Sequence, residues 1–240
     1  MKDHKMHHTS NNNIYIDFSI KPSEVVAGEK VKMSFEPLDS ESDSLVSLQK
    51  IHEKDMHLLI VNSDLSYFCH LHPLEVNHCY VQEHRFPYAG NYHLFVDCFP
   101  EGSEQLLSRH NVKVTGAPVE SCALPDEETA WERGGYKLFI PENQLPLKAG
   151  KMLEITLSLE NGKRPLKDLD YYLGALAHVV IISEDIKEFL HVHPMESDTM
   201  GPEIKLHTTF PHPGKYKMFI QFNHQDKIHT ASLVLNVVAE

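Results

Sequence analysis

The residues of this sequence with the clearest chemical potential are two sets of three histidines at the same spacing. The first set lies in MHLLIVNSDLSYFCHLHP and comprises His57, His70 and His72. The second set lies in AHVVIISEDIKEFLHVHP and comprises His178, His191 and His193. Each segment reads histidine, twelve residues, histidine, one residue, histidine and proline, although only seven of the 18 aligned positions are identical. Three imidazoles kept in two otherwise different segments indicate a metal site.

A β-hairpin brings the first set together. If its turn is centred between Ser63 and Asp64, His57 lies directly opposite His70, with Cβ atoms roughly 4.5–5.5 Å apart. His72 follows His70 by two residues and therefore projects from the same face of the strand. The spacing thus predicts three imidazoles converging on one face of a hairpin.

The second segment allows the same pairing, with its turn between Glu184 and Asp185 and with His178 opposite His191. Metal–nitrogen distances of about 2.0–2.1 Å are within reach of such a hairpin. Neutral imidazoles suit Zn(II), Cu(II), Ni(II) or Co(II) better than magnesium or calcium. The sequence therefore predicts a transition-metal site, with copper or zinc as the expected ion.

A fourth ligand position is open, or is filled by water or by another side chain. Candidates in the second half are His207 and two further histidines of the segment FNHQDKIH, namely His224 and His229. Pro100 stands at the place of His224 in the first half, where Cys98, His84 and Asp55 are the substitutes. We therefore expect the two sites to differ in affinity or in preferred metal.

The amino-terminal segment mixes imidazole with thioether, a combination that fits copper capture. Its ligand-type residues are His4, Met6, His7 and His8. The alternative is a remnant of an expression tag or an ordinary polar tail.

The repeat extends beyond the histidines and identifies a tandem duplication. RFPYAGNYHLFVDCF in the first half matches TFPHPGKYKMFIQFN in the second. Short runs of β-branched and aromatic residues alternate at period two, which predicts an all-β chain of two antiparallel β-sandwiches, immunoglobulin-like or cupredoxin-like. The predicted organisation is a disordered tail (1–13), a first domain (14–116), a linker (117–133) and a second domain (134–240).

Composition narrows the partners and the compartment. The net charge of −12 opposes binding to nucleic acid or to an anionic membrane surface, and no apolar run is long enough to span a bilayer. The start of the chain shows no signal peptide, so we expect a cytoplasmic protein, or an extracytoplasmic one if a signal was removed. The four cysteines are interpreted as free thiols or as one incidental disulfide.

Enzyme signatures are absent from the sequence, including nucleophile-elbow, phosphate-loop and zinc-protease motifs. A blue-copper site needs a cysteine ligand, but the second half has none, and Cys69 alternates to the face opposite His70. Two other interpretations stay open. One is an immunoglobulin-like interaction module that binds a protein partner and whose histidines are structural. The other, weaker one is a metal-dependent hydrolase.

Several paired residues are expected to be structural. Phe68 and Ile60, with their counterparts, belong to the core, and Asp64 caps the hairpin turn. Tyr92 and Tyr216, each two residues after a glycine, match the tyrosine corner of β-sandwiches.

The histidine block, followed by FP-x-x-G-x-Y-x-x-F, resembles a group of bacterial proteins with cupredoxin-like or immunoglobulin-like sandwich domains, labelled YtkA-like or heavy-metal-binding. The likeness covers residues 14–240. It implies an extracytoplasmic setting and a metal-binding role. Together with the two histidine sets, it predicts a non-catalytic protein that captures, buffers or delivers copper or zinc.

Overall fold

The computed structural model describes residues 13–117 and 120–240. The chain divides into two compact units, Met1–Cys122 and Ala123–Glu240. No helix in the described ranges is long and apolar enough to cross a membrane.

The first unit is built from strands that form two sheets. One sheet has the order β1-β3-β8-β7, and the other has the order β2-β10-β9-β5-β6, with β4 also paired to β9. Neighbours are antiparallel except for the parallel pair β2–β10. The strands are β1 (Ile14–Lys21), β2 (Val25–Val26), β3 (Lys30–Asp39), β4 (Leu48–Gln49), β5 (Met56–Asn62), β6 (Phe68–Leu71), β7 (Leu74–Val76), β8 (Cys79–Arg85), β9 (Gly90–Pro100) and β10 (Leu106–Thr115).

The second unit repeats this plan. Its sheets have the orders β11-β12-β14-β15, with β18 also paired to β14, and β13-β20-β19-β16-β17. A short 3-10 turn spans Glu142–Gln144. The strands are β11 (Ala130–Arg133), β12 (Tyr136–Phe139), β13 (Leu147–Lys148), β14 (Met152–Asn161), β15 (Arg164–Pro165), β16 (Ala177–Ser183), β17 (Phe189–Val192), β18 (Glu203–Thr209), β19 (Gly214–His224) and β20 (Lys227–Val238).

Alternating side chains place an apolar core between the two sheets of each unit. Along β3, burial alternates residue by residue, so Val31, Met33 and Phe35 face the core. β5 and β16 are buried on both faces and accordingly read as continuous apolar runs around one histidine. The prediction of two tandem all-β sandwiches is therefore confirmed.

Tyrosine corners fix the start of β9 and of β19. The Tyr92 hydroxyl donates to the Tyr88 carbonyl at 3.0 Å, and the Tyr216 hydroxyl donates to the His212 carbonyl at 2.8 Å. Both rings are buried and both bonds reach back four residues. The predicted structural role of these tyrosines is confirmed.

The boundary between the halves differs in detail from the predicted linker 117–133. Ala130–Arg133 forms β11, the edge strand beside β12, and Glu128 pairs with Val234. Trp131 packs on the second core, with its ring centroid 6.4 Å from that of Phe222. Burial of the large aromatic ring of Trp131 against the core stabilises β11, so the last residues of the predicted linker belong to the second domain.

Candidate metal centres

The hairpin that carries the first histidine set is β5–β6, and its register differs from the predicted one. Ile60 pairs with Cys69, and Leu59, not His57, lies opposite His70. The expectation that His57 faces His70 directly is therefore wrong by two residues.

The hairpin turn explains this difference. The amide of Leu65, a residue with φ 55°, donates to the Asn62 carbonyl at 3.0 Å. The amide of Tyr67 donates to the Asn62 side chain at 2.8 Å, and the amide of Ser66 donates to Asp64 at 3.0 Å. These bonds stabilise a turn centred one residue later than predicted, which shifts each pairing by two.

The predicted convergence survives because the error is an even number. A one-residue slip exchanges the faces of a strand, whereas a two-residue slip keeps them. His57 and His70 become diagonal neighbours, and the continuation of the register carries His57 towards His72. The histidines share the face of the hairpin that points away from the core. Cys69 points to the opposite face and packs on the core, as predicted.

The second hairpin, β16–β17, has the same register. Val180 lies opposite His191 and Val179 opposite Val192, so His178 and His191 are again diagonal. Its turn also uses a residue with positive φ, Ile186, whose amide donates to the Ser183 carbonyl. The predicted direct pairing of His178 with His191 fails for the same reason as in the first hairpin.

The three rings of the first set lie in contact. His57 Nδ1 is 3.1 Å from His70 Nε2. The centroid of the His72 ring is 4.6 Å from that of His70 and 5.1 Å from that of His57. The hairpin therefore gathers all three predicted residues into one cluster.

The second set is the tighter cluster. His191 Nε2 lies 2.9 Å from Nε2 and 3.1 Å from Nδ1 of His178, and these two rings are stacked at 4.3 Å. One ring nitrogen from each of His178, His191 and His193 lies within 4.8 Å of the others. Two nitrogens bound to one metal at about 2.05 Å are separated by about 2.9–3.4 Å. The nitrogen distance between His57 and His70 and the two distances between His178 and His191 fall in that range.

One bond to the backbone orients the first set. His57 Nε2 lies 3.2 Å from the Ile51 carbonyl, which can only accept, so Nε2 carries the proton. The Nδ1 lone pair of His57 is then directed towards His70. Metal-bound histidines are oriented in this way, through the ring nitrogen that does not bind the ion.

His72 contributes a nitrogen without a hydrogen bond. Its Nε2 is buried and has no partner among the described residues. Burial, followed by electrostatic interactions with His57 and Lys54, lowers the pKa of His72 to about 4. The imidazole is consequently neutral at pH 7, which is the form that binds metals.

Two residues near the first set were missed by the sequence reasoning. Asp97, only 1% exposed, lies directly opposite His57 on β9 and accepts a 2.7 Å bond from Gln105. The ring centroid of His52 lies 6.3 Å from that of His57. Gln221 holds the position of Asp97 in the second unit, opposite His178. Asp97 can be placed beside His57 only when the pairing of β5 with β9 is known, because the β5–β6 hairpin does not include β9.

The proposed fourth ligands of the first set lie elsewhere. Cys98 faces the core, where burial raises the pKa of its thiol. His84 belongs to the other sheet, bonded to the Tyr67 hydroxyl at 3.2 Å, and Asp55 lines a surface pocket with Glu75. Cys98 and His84 are therefore not positioned by the β5–β6 hairpin, and Asp55 directly precedes β5.

The extra candidates of the second set are also separate from it. His224 and His229 point to the core side of β19 and β20, like Phe222, whereas Gln221 and His178 occupy the opposite face. His207 is exposed on β18, 3.3 Å from Glu154. The amino-terminal candidates lie outside the described residues, namely His4, Met6, His7 and His8.

Fold and site together define a tandem β-sandwich protein with one histidine cluster on a hairpin of each sandwich. The family model described as "Domain of unknown function (DUF8832)" matches twice, over residues 10–116 and 129–239. The chain belongs to that family, and the two matches coincide with the two units. A comparison with curated proteins found no match.

Similar solved structures are other tandem sandwich domains. The fibronectin(III)-like modules of Clostridium thermocellum CbhA are 12% identical, covering 93% of this chain and 95% of that chain, with a TM-score of 0.24. The Escherichia coli adhesin FdeC is 14% identical (95% and 64%; TM-score 0.28), and the titin Z1Z2 domains in complex with telethonin are 12% identical (98% and 100%; 0.24). At these scores the likeness contributes nothing to the argument about function.

Proposed function

We propose that this protein binds a transition-metal ion, copper or zinc, through its two histidine sets, and that it captures, buffers or delivers the ion without catalysis. The ligands are the three histidines of each hairpin: His57, His70, His72, His178, His191 and His193. The resemblance of the histidine block to YtkA-like, heavy-metal-binding proteins supports this proposal.

One observation carries the proposal: three imidazoles converge twice, in the same register, on a rigid hairpin. Hydrogen bonding between neutral rings is the competing explanation, because two imidazoles can share one proton. The third ring favours a bound metal over hydrogen bonding alone, because His72 Nε2 is buried without a hydrogen-bond partner among the described residues. Burial of an unpaired nitrogen costs roughly 1–3 kcal/mol, and a bound ion removes that cost.

The surroundings favour a cation in the first set. Asp97 places a buried carboxylate directly across from His57, and a negative charge beside a ligand imidazole strengthens cation binding. The overall charge of −12 acts in the same direction.

The test is elemental analysis of protein purified without a histidine tag or nickel column, after growth with copper and zinc. We expect one or two equivalents of metal per chain in the wild type and a loss of metal in His70→Ala/His191→Ala. The matched control removes one exposed imidazole from each unit, with His78→Ala/His207→Ala, and retains the metal.

A wild-type protein that contains no metal and takes up neither added copper nor added zinc contradicts the proposal. The histidines are then structural, and the interaction-module interpretation, with a protein partner, takes its place. Circular dichroism of each variant confirms that a loss of metal is not a loss of fold.

A further inference from the structure

A pocket in the first unit carries acidic side chains that neither histidine set uses, and we call it the acidic pocket. Its volume is about 430 Å³, which lies within the usual range of ligand pockets in proteins. No lysine or arginine lines it in the described part of the chain. Its lining includes three apolar residues and three polar ones, namely Leu45, Val46, Leu48, Asp55, Glu75 and Tyr80.

Tyr80 is the buried polar group of the acidic pocket. Its side chain is only 5% exposed, and its ring packs in the first core, opposite Phe35 of β3. No hydrogen bond joins its hydroxyl to another residue of the described ranges. A tyrosine hydroxyl at this depth usually has a partner. Because the ring belongs to the core and the residue lines the pocket, the hydroxyl is available to a ligand there.

Two carboxylates lie near this hydroxyl. Glu75 is directly opposite Tyr80 in the β7–β8 pairing, and such neighbours have Cβ atoms roughly 4.5–5.5 Å apart. Asp55 lines the same pocket from the residue before β5. Burial, followed by the negative charges of Asp55 and Glu75, raises the pKa of Tyr80, so the phenol stays protonated. The acidic pocket thus combines negative charge with one neutral hydroxyl.

Backbone hydrogen bonds fix the apolar wall of the acidic pocket. The Val46 amide donates to the Pro37 carbonyl at 2.9 Å, and the Glu101 amide donates to the Ser47 carbonyl at 2.9 Å. Leu48, in β4, is paired to the end of β9. The wall is therefore formed before a ligand binds, which lowers the entropic cost of binding.

The second unit shows that the fold itself does not need these polar groups. Ile204 occupies on β18 the place of Tyr80 on β8, and Leu176 directly precedes β16 as Asp55 precedes β5. Both Ile204 and Leu176 are buried in the second core. A sandwich of the same plan thus closes with apolar residues here, so the polar groups of the first unit call for another explanation.

We infer that the acidic pocket binds an organic cation, an alkylammonium or guanidinium group of the kind that lysine and arginine side chains carry. Two carboxylates without a lysine or arginine beside them attract such a group, and the Tyr80 oxygen accepts a hydrogen bond from it. The apolar wall contacts the aliphatic stem that joins the cation to the rest of the ligand.

Two other roles explain less of the acidic pocket. A metal ion fits poorly, because Asp55, Glu75 and His78 are not among the described clusters whose ligand atoms all lie within 4.8 Å of one another. An inward-pointing Glu75 also discourages the edge strand β7 from pairing with another chain. That role involves neither Asp55 nor the Tyr80 hydroxyl.

The experiment titrates the full chain with Nα-acetyl-lysinamide, a capped lysine, and follows binding by proton–nitrogen NMR. We expect saturable shifts at the amides of residues 45–55 and of the β7–β8 hairpin. Asp55→Asn and Tyr80→Phe each weaken binding about tenfold, because each removes one partner of the cation. The control Glu83→Gln, which removes an exposed carboxylate of β8 paired with Lys30, leaves binding unchanged. Nα-acetyl-norleucinamide, which has the same stem without the charge, binds at least about tenfold more weakly.

Two further probes distinguish the source of the cation. Binding of n-butylammonium as tight as that of the capped lysine supports a free amine as the ligand. Tighter binding of the capped tripeptide glycyl-lysyl-glycine supports a basic side chain of a protein partner. Either result agrees with the inference, since the recognised chemistry is the same.

A folded wild type that shows no saturable shifts overturns the inference, as does equal binding of the norleucine compound. Binding that survives both Asp55→Asn and Tyr80→Phe has the same meaning. Displacement of the capped lysine by one equivalent of Ca(II) also overturns it, because the pocket is then a metal site. His70→Ala/His191→Ala, with both histidine sets disabled, binds the capped lysine as the wild type does, so the result is independent of metal binding at those sets.

Discussion

The proposed binding of metal to the second histidine set predicts a measurable change in the stability of the second unit. His191 supplies the nitrogen nearest to both ring nitrogens of His178, at 2.9 and 3.1 Å, so His191→Ala removes the centre of the set. His207→Ala removes an exposed imidazole of the same unit and serves as the control. The quantity to compare is the shift in melting temperature that the metal causes in each protein.

The size of the shift follows from mass action. A free metal concentration of 100 times Kd stabilises the folded state by about 2.7 kcal/mol. The second unit spans residues 123–240, and at about 2.1 cal/mol/K per residue its unfolding entropy near the midpoint is roughly 250 cal/mol/K. Dividing the two gives a shift of about 11 °C for the wild-type unit.

Differential scanning calorimetry with and without Zn(II) or Cu(II), and after chelation, measures this shift. We expect about 11 °C in the wild type and in His207→Ala, and less than about 2 °C in His191→Ala. Comparing each protein with its own metal-free form cancels any direct effect of the substitution on the fold. An undiminished shift in His191→Ala, or an equal loss in His207→Ala, refutes the assignment of the ligands.

Four further results are expected. Tyr216→Phe removes the buried hydrogen bond from the tyrosine hydroxyl and lowers the free energy of unfolding by about 1 kcal/mol, measured by urea denaturation. An unchanged urea midpoint contradicts a stabilising role for this tyrosine corner. Because folding lowers the pKa of His72, the unfolded chain binds more protons, so the metal-free protein loses about 1–2 kcal/mol as pH falls from 6.5 to 4. This loss of stability is smaller in His72→Gln. Equal losses in His72→Gln and in the wild type contradict the lowered pKa of His72. In a chain with the second set disabled, Asp97→Asn weakens metal binding about tenfold by calorimetric titration, whereas in a chain with only the second set Gln221→Glu strengthens it. Nitrogen-15 NMR finds the His57 proton on Nε2 in the metal-free protein, and a proton on Nδ1 instead argues against the orientation set by the backbone carbonyl.

The sequence predicted the fold well because both signals it used are periodic. Alternation identified the strands, and the duplication identified the units. The hairpin register depended on a turn whose geometry is set by side-chain bonds of Asn62 and Asp64, and no periodicity reports these. The face of the histidines was nevertheless right, because an error of two residues preserves it.

The surroundings of the candidate sites were harder to predict from sequence. Asp97 lies opposite His57, 40 residues away in the chain, and Gln221 lies opposite His178, 43 residues away. Successive residues of β19 face opposite sides of the sheet, so His224 points to the core side and Gln221 to the side of His178. Local spacing therefore predicted which histidines cluster, whereas their neighbours depend on the tertiary pairing of strands.

Each histidine set belongs to a single hairpin, and this locality affects the order of events during synthesis. Residues 57–72 or 178–193 suffice to bring three imidazoles together, whereas the sandwich core needs strands from the whole domain. Contacts between residues close in sequence form early, because closing a short loop costs little entropy. If the proposed sites bind metal, we expect an ion present during translation to be bound by the emerging hairpin before the last strand of the domain leaves the ribosome. The metal would then serve as a folding template for the strands that follow.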